Sequence, residues 1–211
     1  MADAINLLGI PGSIRDRSTS RAALRAAALL LPAHASLQLA DIEGIPGFDE
    51  SRPTDPAPRL LELKQQIRAA DALLFAAPEY LYGLLTVLDN VIESAAQPPS
   101  DNAWAGKPVA LIGTSRSDDG LALAQHNLRQ RLLAQGMRPV TQEPLLIGCA
   151  QRAFGGHGQL RDAGLRASLR ALLADLVHAA RMSDRSPGTQ TGAGMAAGAA
   201  AHRSGVSSGL W

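Results

Sequence analysis

Residues 9–20 read Gly9-Ile10-Pro11-Gly12-Ser13-Ile14-Arg15-Asp16-Arg17-Ser18-Thr19-Ser20, between a short apolar run and an alanine-rich segment. A chain that leaves a strand here and enters a helix presents free backbone N–H groups and the positive end of the helix dipole, which suits a phosphate. Gly12 lets the backbone approach closely, Ser13, Ser18 and Ser20 offer hydroxyl donors, and Arg15 can supply a charge-assisted fork. The same residues also read as a capped helix start with a solvated arginine, because Ser and Thr are the default caps. Neither the six-residue dinucleotide fingerprint nor a Walker loop is present, since the Gly and Gly-Lys spacings do not match.

Two further loops carry candidate chemistry. Ala77-Pro78-Glu79-Tyr80-Leu81-Tyr82-Gly83 holds both tyrosines of a chain with only 3% aromatic residues. Beside a strand end, such a loop can form a flat wall for an aromatic ring, with backbone amides aimed at its polar edge; an ordinary surface turn is the plainer reading. Gly113-Thr114-Ser115-Arg116-Ser117-Asp118-Asp119-Gly120 is a small polar turn, uninformative alone. Convergence of the three loops on one crevice is the stronger signal. The five histidines are dispersed and form no cluster at metal-ligand spacing. Cys149 follows an apolar run and reads as a buried small hydrophobe. Arg129, Arg131 and Arg138 read as a solvated or subunit-facing helix surface, and Trp104 as packing in the loop before a strand.

The elements that must position these loops alternate. Apolar runs at Ile5–Ile10, Leu37–Ala40, Asp71–Ala77, Pro108–Gly113, and Val140 with Pro144–Ile147 read as five strands. Helical spacing covers Arg21–Leu31, Leu60–Ala70, Leu84–Ala96, Leu121–Gln135 and Leu165–Met182. Buried strands separated by helices make an α/β fold, a parallel sheet with helices on both faces. Five strands on this plan suit the flavodoxin-like order 2-1-3-4-5, with its crevice beyond the carboxyl ends of the strands. Residues 1–182 form one domain in this reading, and the Ala-, Gly- and Ser-rich segment 183–211 is a disordered tail.

The 211 residues, 46% hydrophobic with a net charge of +1, support one core and give no electrostatic footprint for nucleic acid. Of 20 basic residues only Lys64 and Lys107 are lysines, which reads as coding bias. One cysteine excludes an intramolecular disulfide and fits a reducing compartment. No run approaches the roughly 20 apolar residues of a spanning helix, and no basic segment precedes an apolar one at the N-terminus. A cytoplasmic location without membrane contact is expected.

Three segments together resemble the NAD(P)H-dependent FMN reductases, a family that includes bacterial quinone and chromate reductases. Gly12-Ser13-Ile14-Arg15 with Ser18-Thr19-Ser20-Arg21 is similar to the family's phosphate loop. Pro78-Glu79-Tyr80-Leu81-Tyr82 with Leu88, Asn90 and Ile92 is similar to its Pro-Glu-Tyr-Asn-Tyr segment. Ala105–Ala110, Gly113-Thr114-Ser115, Gly120 and Ala124–Arg129 are similar to its fourth strand, loop and helix. The departures are Ser20 and Leu81 where the family usually has Asn, Leu85 for Pro, Asp89 for Lys, Glu93 for Asp, and Ser117 for Gly.

The resemblance implies a flavodoxin-like homodimer or homotetramer holding FMN noncovalently, with NADPH or NADH as co-substrate and a small-molecule electron acceptor. It places Ser13, Arg15, Ser18 and Ser20 on the FMN phosphate, and Pro78, Glu79, Tyr80 and Leu81 along the isoalloxazine. Ser115 and Gly120 close the far side. It nominates no catalytic side chain, because the flavin does the redox chemistry. A non-catalytic flavin-binding protein or electron carrier of the same fold is the alternative. A receiver domain is excluded, since no acidic cluster follows the first strand.

Overall fold

The computed structural model describes residues 4–48, 57–78, 86–116, 121–141 and 143–184. In chain order these form β1 (Ile5–Pro11), α1 (Thr19–Ala28), β2 (Ala35–Leu39), α2 (Pro58–Ala69), β3 (Ala72–Pro78) and α3 (Thr86–Ala96). After one 3-10 turn at Pro99–Asp101 come β4 (Pro108–Thr114), α4 (Leu121–Ala134), β5 (Arg138–Pro139), β6 (Leu145–Ile147), α5 (Ala150–Ala153) and α6 (Ala163–Asp184). The sheet runs β2-β1-β3-β4-β5, with β6 also on β4, and every pairing is parallel. This is the expected flavodoxin-like order.

The alternation of side chains along buried strands separates two cores. Leu73, Phe75 and Ala77 of β3 face α2, α3 and α4, joining Leu63, Ile67, Leu88, Ile92, Leu128 and Leu132. Ala72, Leu74 and Ala76 face α1 and α6, joining Ala23, Leu24, Ala27, Leu169, Leu173 and Leu176. Both faces of β3 and β4 are covered, so their sequences are continuous apolar runs. Trp104 lies in the first core, fully buried, its Nε1 donating to Ile92 O at 2.9 Å and its ring 5.8 Å from that of Phe75.

Several boundaries differ from the sequence expectation. The fifth strand is split. Arg138–Pro139 pairs with Pro108–Val109, and Leu145–Ile147 pairs with Ile112–Thr114. Pro139 and Pro144 cannot donate to a ladder; Val140 N still donates to Val109 O at 2.9 Å, and Thr141 Oγ1 donates to Glu143 O at 2.8 Å. The second strand is shifted to Ala35–Leu39, and α1 ends at Ala28, ahead of Pro32. The last helix extends past Met182 through Asp184; Ser183 donates to Ala179 O at 3.0 Å and receives Arg138 Nη2. Ser183 and Asp184 therefore belong to the helix, and residues 185–211 of the expected tail lie outside the described residues. Two small features went unread: α5 and an antiparallel bridge between Phe154 and Leu160. Cys149, expected to be buried, is half-buried, with a left-handed φ of 44° and its Sγ 3.5 Å from Arg152 Nη2.

The basic residues tie elements together. Lys64 is 2% exposed and donates to Gln97 O at 2.7 Å and Asp101 Oδ2 at 2.6 Å. Lys107 donates to Arg68 O at 2.8 Å and Ala70 O at 2.5 Å, where the helix dipole of α2 is negative. Burial pushes the Lys107 ammonium below its usual range, and Asp71 partly opposes this. Arg129, Arg131 and Arg138 are not a free helix surface. Arg129 donates to Thr141 O at 2.8 Å, and Arg138, in β5, donates to Gly106 O at 2.9 Å. Arg131 lies 3.3 Å from Asp89 and 2.7 Å from Glu93, so the two departures on α3 share one cation from α4. Partial burial nevertheless raises the Asp89 carboxyl; Arg131 opposes the shift and Glu93 adds to it.

The Lys64 and Arg68 contacts hold the Asp101 carboxyl below its ordinary value of 3.8, with the Lys64 hydrogen bond the largest cause. A depressed carboxyl contributes stability that is present above its unfolded pKa and lost as pH falls through the folded value. Asp101→Asn is therefore expected to lower the melting temperature at neutral pH, and the gap to wild type should close in strong acid. Equal melting temperatures at pH 7 would refute the assignment.

Candidate functional site

At the carboxyl edge of the sheet, β1 ends beside β3, Pro11 opposite Ala76. Gly12 N donates to Ala76 O at 2.7 Å, carrying the ladder one residue beyond the strand. A Cβ on Gly12 would stand 2.7 Å from Pro78 Cδ and 3.0 Å from both Ala76 O and Ala77 Cα. The close approach expected of Gly12 is thus made to the end of β3, which no side chain here would permit.

Beyond it the loop holds itself open. Arg15 N donates to Ser13 Oγ at 3.2 Å, Ser18 N to Arg15 O at 3.1 Å, and Arg21 Nε to Ser13 O at 3.3 Å. Ser18 is the N-cap of α1: its Oγ accepts from Arg21 N at 3.3 Å and lies 3.1 Å from Ser20 Oγ. Ser20 is 0% exposed and backs Ser18 from beneath. The amides of Ser13, Ile14, Thr19 and Ser20 have no acceptor among the described residues. Arg15 is exposed with no ion pair there, and the first turn of α1 holds no acidic residue.

The other two strand ends meet this loop. Pro78, the last residue of β3, sits opposite Thr114, the last of β4. Thr114 Oγ1 lies 2.9 Å from Thr19 Oγ1, joining β4 to the start of α1. Ser115 is buried; its N–H donates to Ile147 O at 3.0 Å and its carbonyl accepts from Ala150 N at 2.7 Å. Gln125 of α4, 1% exposed, reaches Ala77 O with Nε2 at 3.4 Å, while its Oε1 has no partner among the described residues. It lies across Gly113, where a Cβ would be 2.9 Å from Gln125 Cδ and from Leu146 Cδ2.

Of the residues proposed from sequence, Ser13, Arg15, Ser18 and Ser20 share one loop, and Gly12 and Thr19 join it to the strand ends bearing Pro78 and Ser115. Glu79, Tyr80, Leu81 and Gly120 lie outside the described residues. Thr114, Gln125 and Arg21 stand in the segments that carry the resemblance but are not among the proposed site residues; their contacts, to Thr19, Ala77 O and Ser13 O, depend on the fold. Among the described residues, no group of His, Cys, Asp or Glu is placed to hold a metal.

A doubly covered parallel sheet, with a Ser- and Arg-rich turn into α1 at its carboxyl edge, defines a nucleotide- or flavin-binding class of fold. The pattern of the NADPH-dependent FMN reductases matches residues 5–151. An NAD(P)H-dependent FMN reductase of Pseudomonas aeruginosa is 44% identical over 163 residues, covering 77% of this chain and 88% of that protein. A quinone reductase of Pseudomonas putida is 29% identical over the same length and coverage. The solved flavoenzyme NAD(P)H:(acceptor) oxidoreductase of Paracoccus denitrificans superposes with a TM-score of 0.77 at 27% identity, covering 85% of this chain and 99% of that one. The chain belongs to the NADPH-dependent FMN reductase family.

The donor set suits the phosphate of FMN: open amides and the Ser13 and Ser18 hydroxyls share the turn into α1 with the exposed Arg15, and the first turn of the helix holds no acidic residue. Gly12→Ala is expected to destabilise the fold by about 1–3 kcal/mol, the scale of overpacking against atoms that cannot yield. Urea unfolding measures this, and an unchanged midpoint would show that the strand ends can separate.

Proposed function

We propose that the chain is an FMN-dependent NAD(P)H oxidoreductase that delivers electrons from a reduced nicotinamide to quinones, free flavin or similar small acceptors. The observation that carries the reading is the open donor set of residues 13–20 at the carboxyl edge of a sheet with the family's topology. FMN, when bound, supplies the redox chemistry: it accepts a hydride and returns electrons to the second substrate.

The protein's part is to bind and orient. Ser13, Ser18 and the amides of Ser13, Ile14, Thr19 and Ser20 hold the phosphate, and Arg15 balances its charge. Ser20 fixes the Ser18 hydroxyl from the buried side. Pro78, Glu79, Tyr80 and Leu81 line the ring, and Ser115 and Gly120 close its far side. No side chain is required as a general acid with a shifted pKa. The oligomer in this proposal is a homodimer or homotetramer, and the compartment is cytoplasmic; no described helix is long and apolar enough to cross a membrane.

The purified protein should be yellow and should oxidise NADPH or NADH when a quinone or free FMN is supplied. Yellow protein without turnover would instead identify an electron carrier. Arg15→Ala should weaken FMN by about 1.5–3 kcal/mol, the scale of a hydrogen bond between charged groups, while leaving riboflavin unaffected. Fluorescence titration with both flavins decides this; equal wild-type affinities would remove the phosphate site.

A further inference from the structure

The contacts of Ser18, Ser20 and Arg21 hold the start of α1 within its own loop. Only one side-chain hydrogen bond among the described residues joins that first turn to the sheet, the 2.9 Å pair of Thr19 Oγ1 and Thr114 Oγ1. Thr114 closes β4 on the face that bears Ala110 and Ile112, under α1, and is 1% exposed. A hydroxyl in such a place costs stability unless it is hydrogen-bonded, and valine would fill the same volume without that cost. The bond to Thr19 is what the hydroxyl supplies. Thr19 is the first residue of α1, and its own amide and that of Ser20 are among the open donors.

We propose that Thr114 is a positioning residue for the FMN phosphate: through Thr19 it sets where the N-terminus of α1 stands relative to the strand ends. The inference rests on the reading of residues 13–20 as the phosphate loop. Thr114 does not touch the phosphate, and its influence passes through the helix start to the amides of Thr19 and Ser20. Binding of the isoalloxazine and ribityl chain, which the phosphate loop does not hold, is independent of it.

The test measures FMN and riboflavin affinities of the full-length protein freed of flavin, by quenching of flavin fluorescence. Wild type should prefer FMN. Thr114→Val should weaken FMN about tenfold, the scale of one neutral hydrogen bond, and change riboflavin by less than about twofold. Thr114→Ser, which keeps the hydroxyl, should restore the FMN preference. Thr19→Val removes the same bond from its half-buried end and should reproduce the loss, with the double variant no worse than either single. Should Thr114→Val not fold, Thr19→Val with Thr114→Ser decides the matter alone. A wild-type preference that survives both valine substitutions, or a loss equal for both flavins, overturns the inference and leaves the phosphate loop standing. Equal wild-type affinities for the two flavins overturn the phosphate loop and this inference with it.

Discussion

The end of β1 and the end of β3 touch without a side chain between them. Gly12 donates to Ala76 O, and its Cα faces the ring of Pro78 at a distance that excludes a methyl group. The course of the loop after β1 follows from that contact. The loop from residue 13 onward must rise directly from the edge, and α1 must begin close above it. The amides of Ser13 and Ile14 are thereby left outside the ladder, where a ligand rather than a strand can take them. A larger residue at position 12 would move the donor loop away from the strand end that carries Pro78.

A second constraint works beside it on β4. Gly113 leaves room for Gln125 to lie across the strand and reach Ala77 O. The oxygen of the same amide is buried with no hydrogen-bond partner among the described residues, an arrangement that costs stability. Together, Gly12 and Gly113 let three strand ends approach, and the hydroxyls of Thr19 and Thr114 close the gap between α1 and β4.

Away from this edge the charged residues are committed to structure. Lys64 and Lys107 hold α2 to the turn after α3 and to the segment before β4, and Arg131 joins α4 to α3. Arg129, Arg138, Arg161 and Arg166 all donate to backbone carbonyls. Surface arginines contribute little individually, but each closes an acceptor that a helix end or turn would otherwise leave to water. Arg15 is different: it stands in the open loop with no ion pair among the described residues.

The sequence by itself determined the sheet. Strands covered on both faces must be continuous apolar runs, so Ala72–Ala77 and Val109–Ile112 admitted no other reading, and alternating helices made the sheet parallel. It also placed a helix cap within Ser18-Thr19-Ser20, because such a bond spans three residues and its chemistry is complete within one turn; the structure gives it to Ser18. Tertiary structure decided what depends on distant partners. The last strand splits because its two halves pair with opposite ends of β4 around two prolines. The segment after Cys149 is anchored from a distant stretch of chain, Ala150 N donating to Ser115 O beyond the end of β4. Ser20, chemically equal to Ser18 in the sequence, is buried beneath it and not beside it. Thr19 and Thr114 are 95 residues apart, and only the pairing of β1, β3 and β4 brings their hydroxyls within a hydrogen bond.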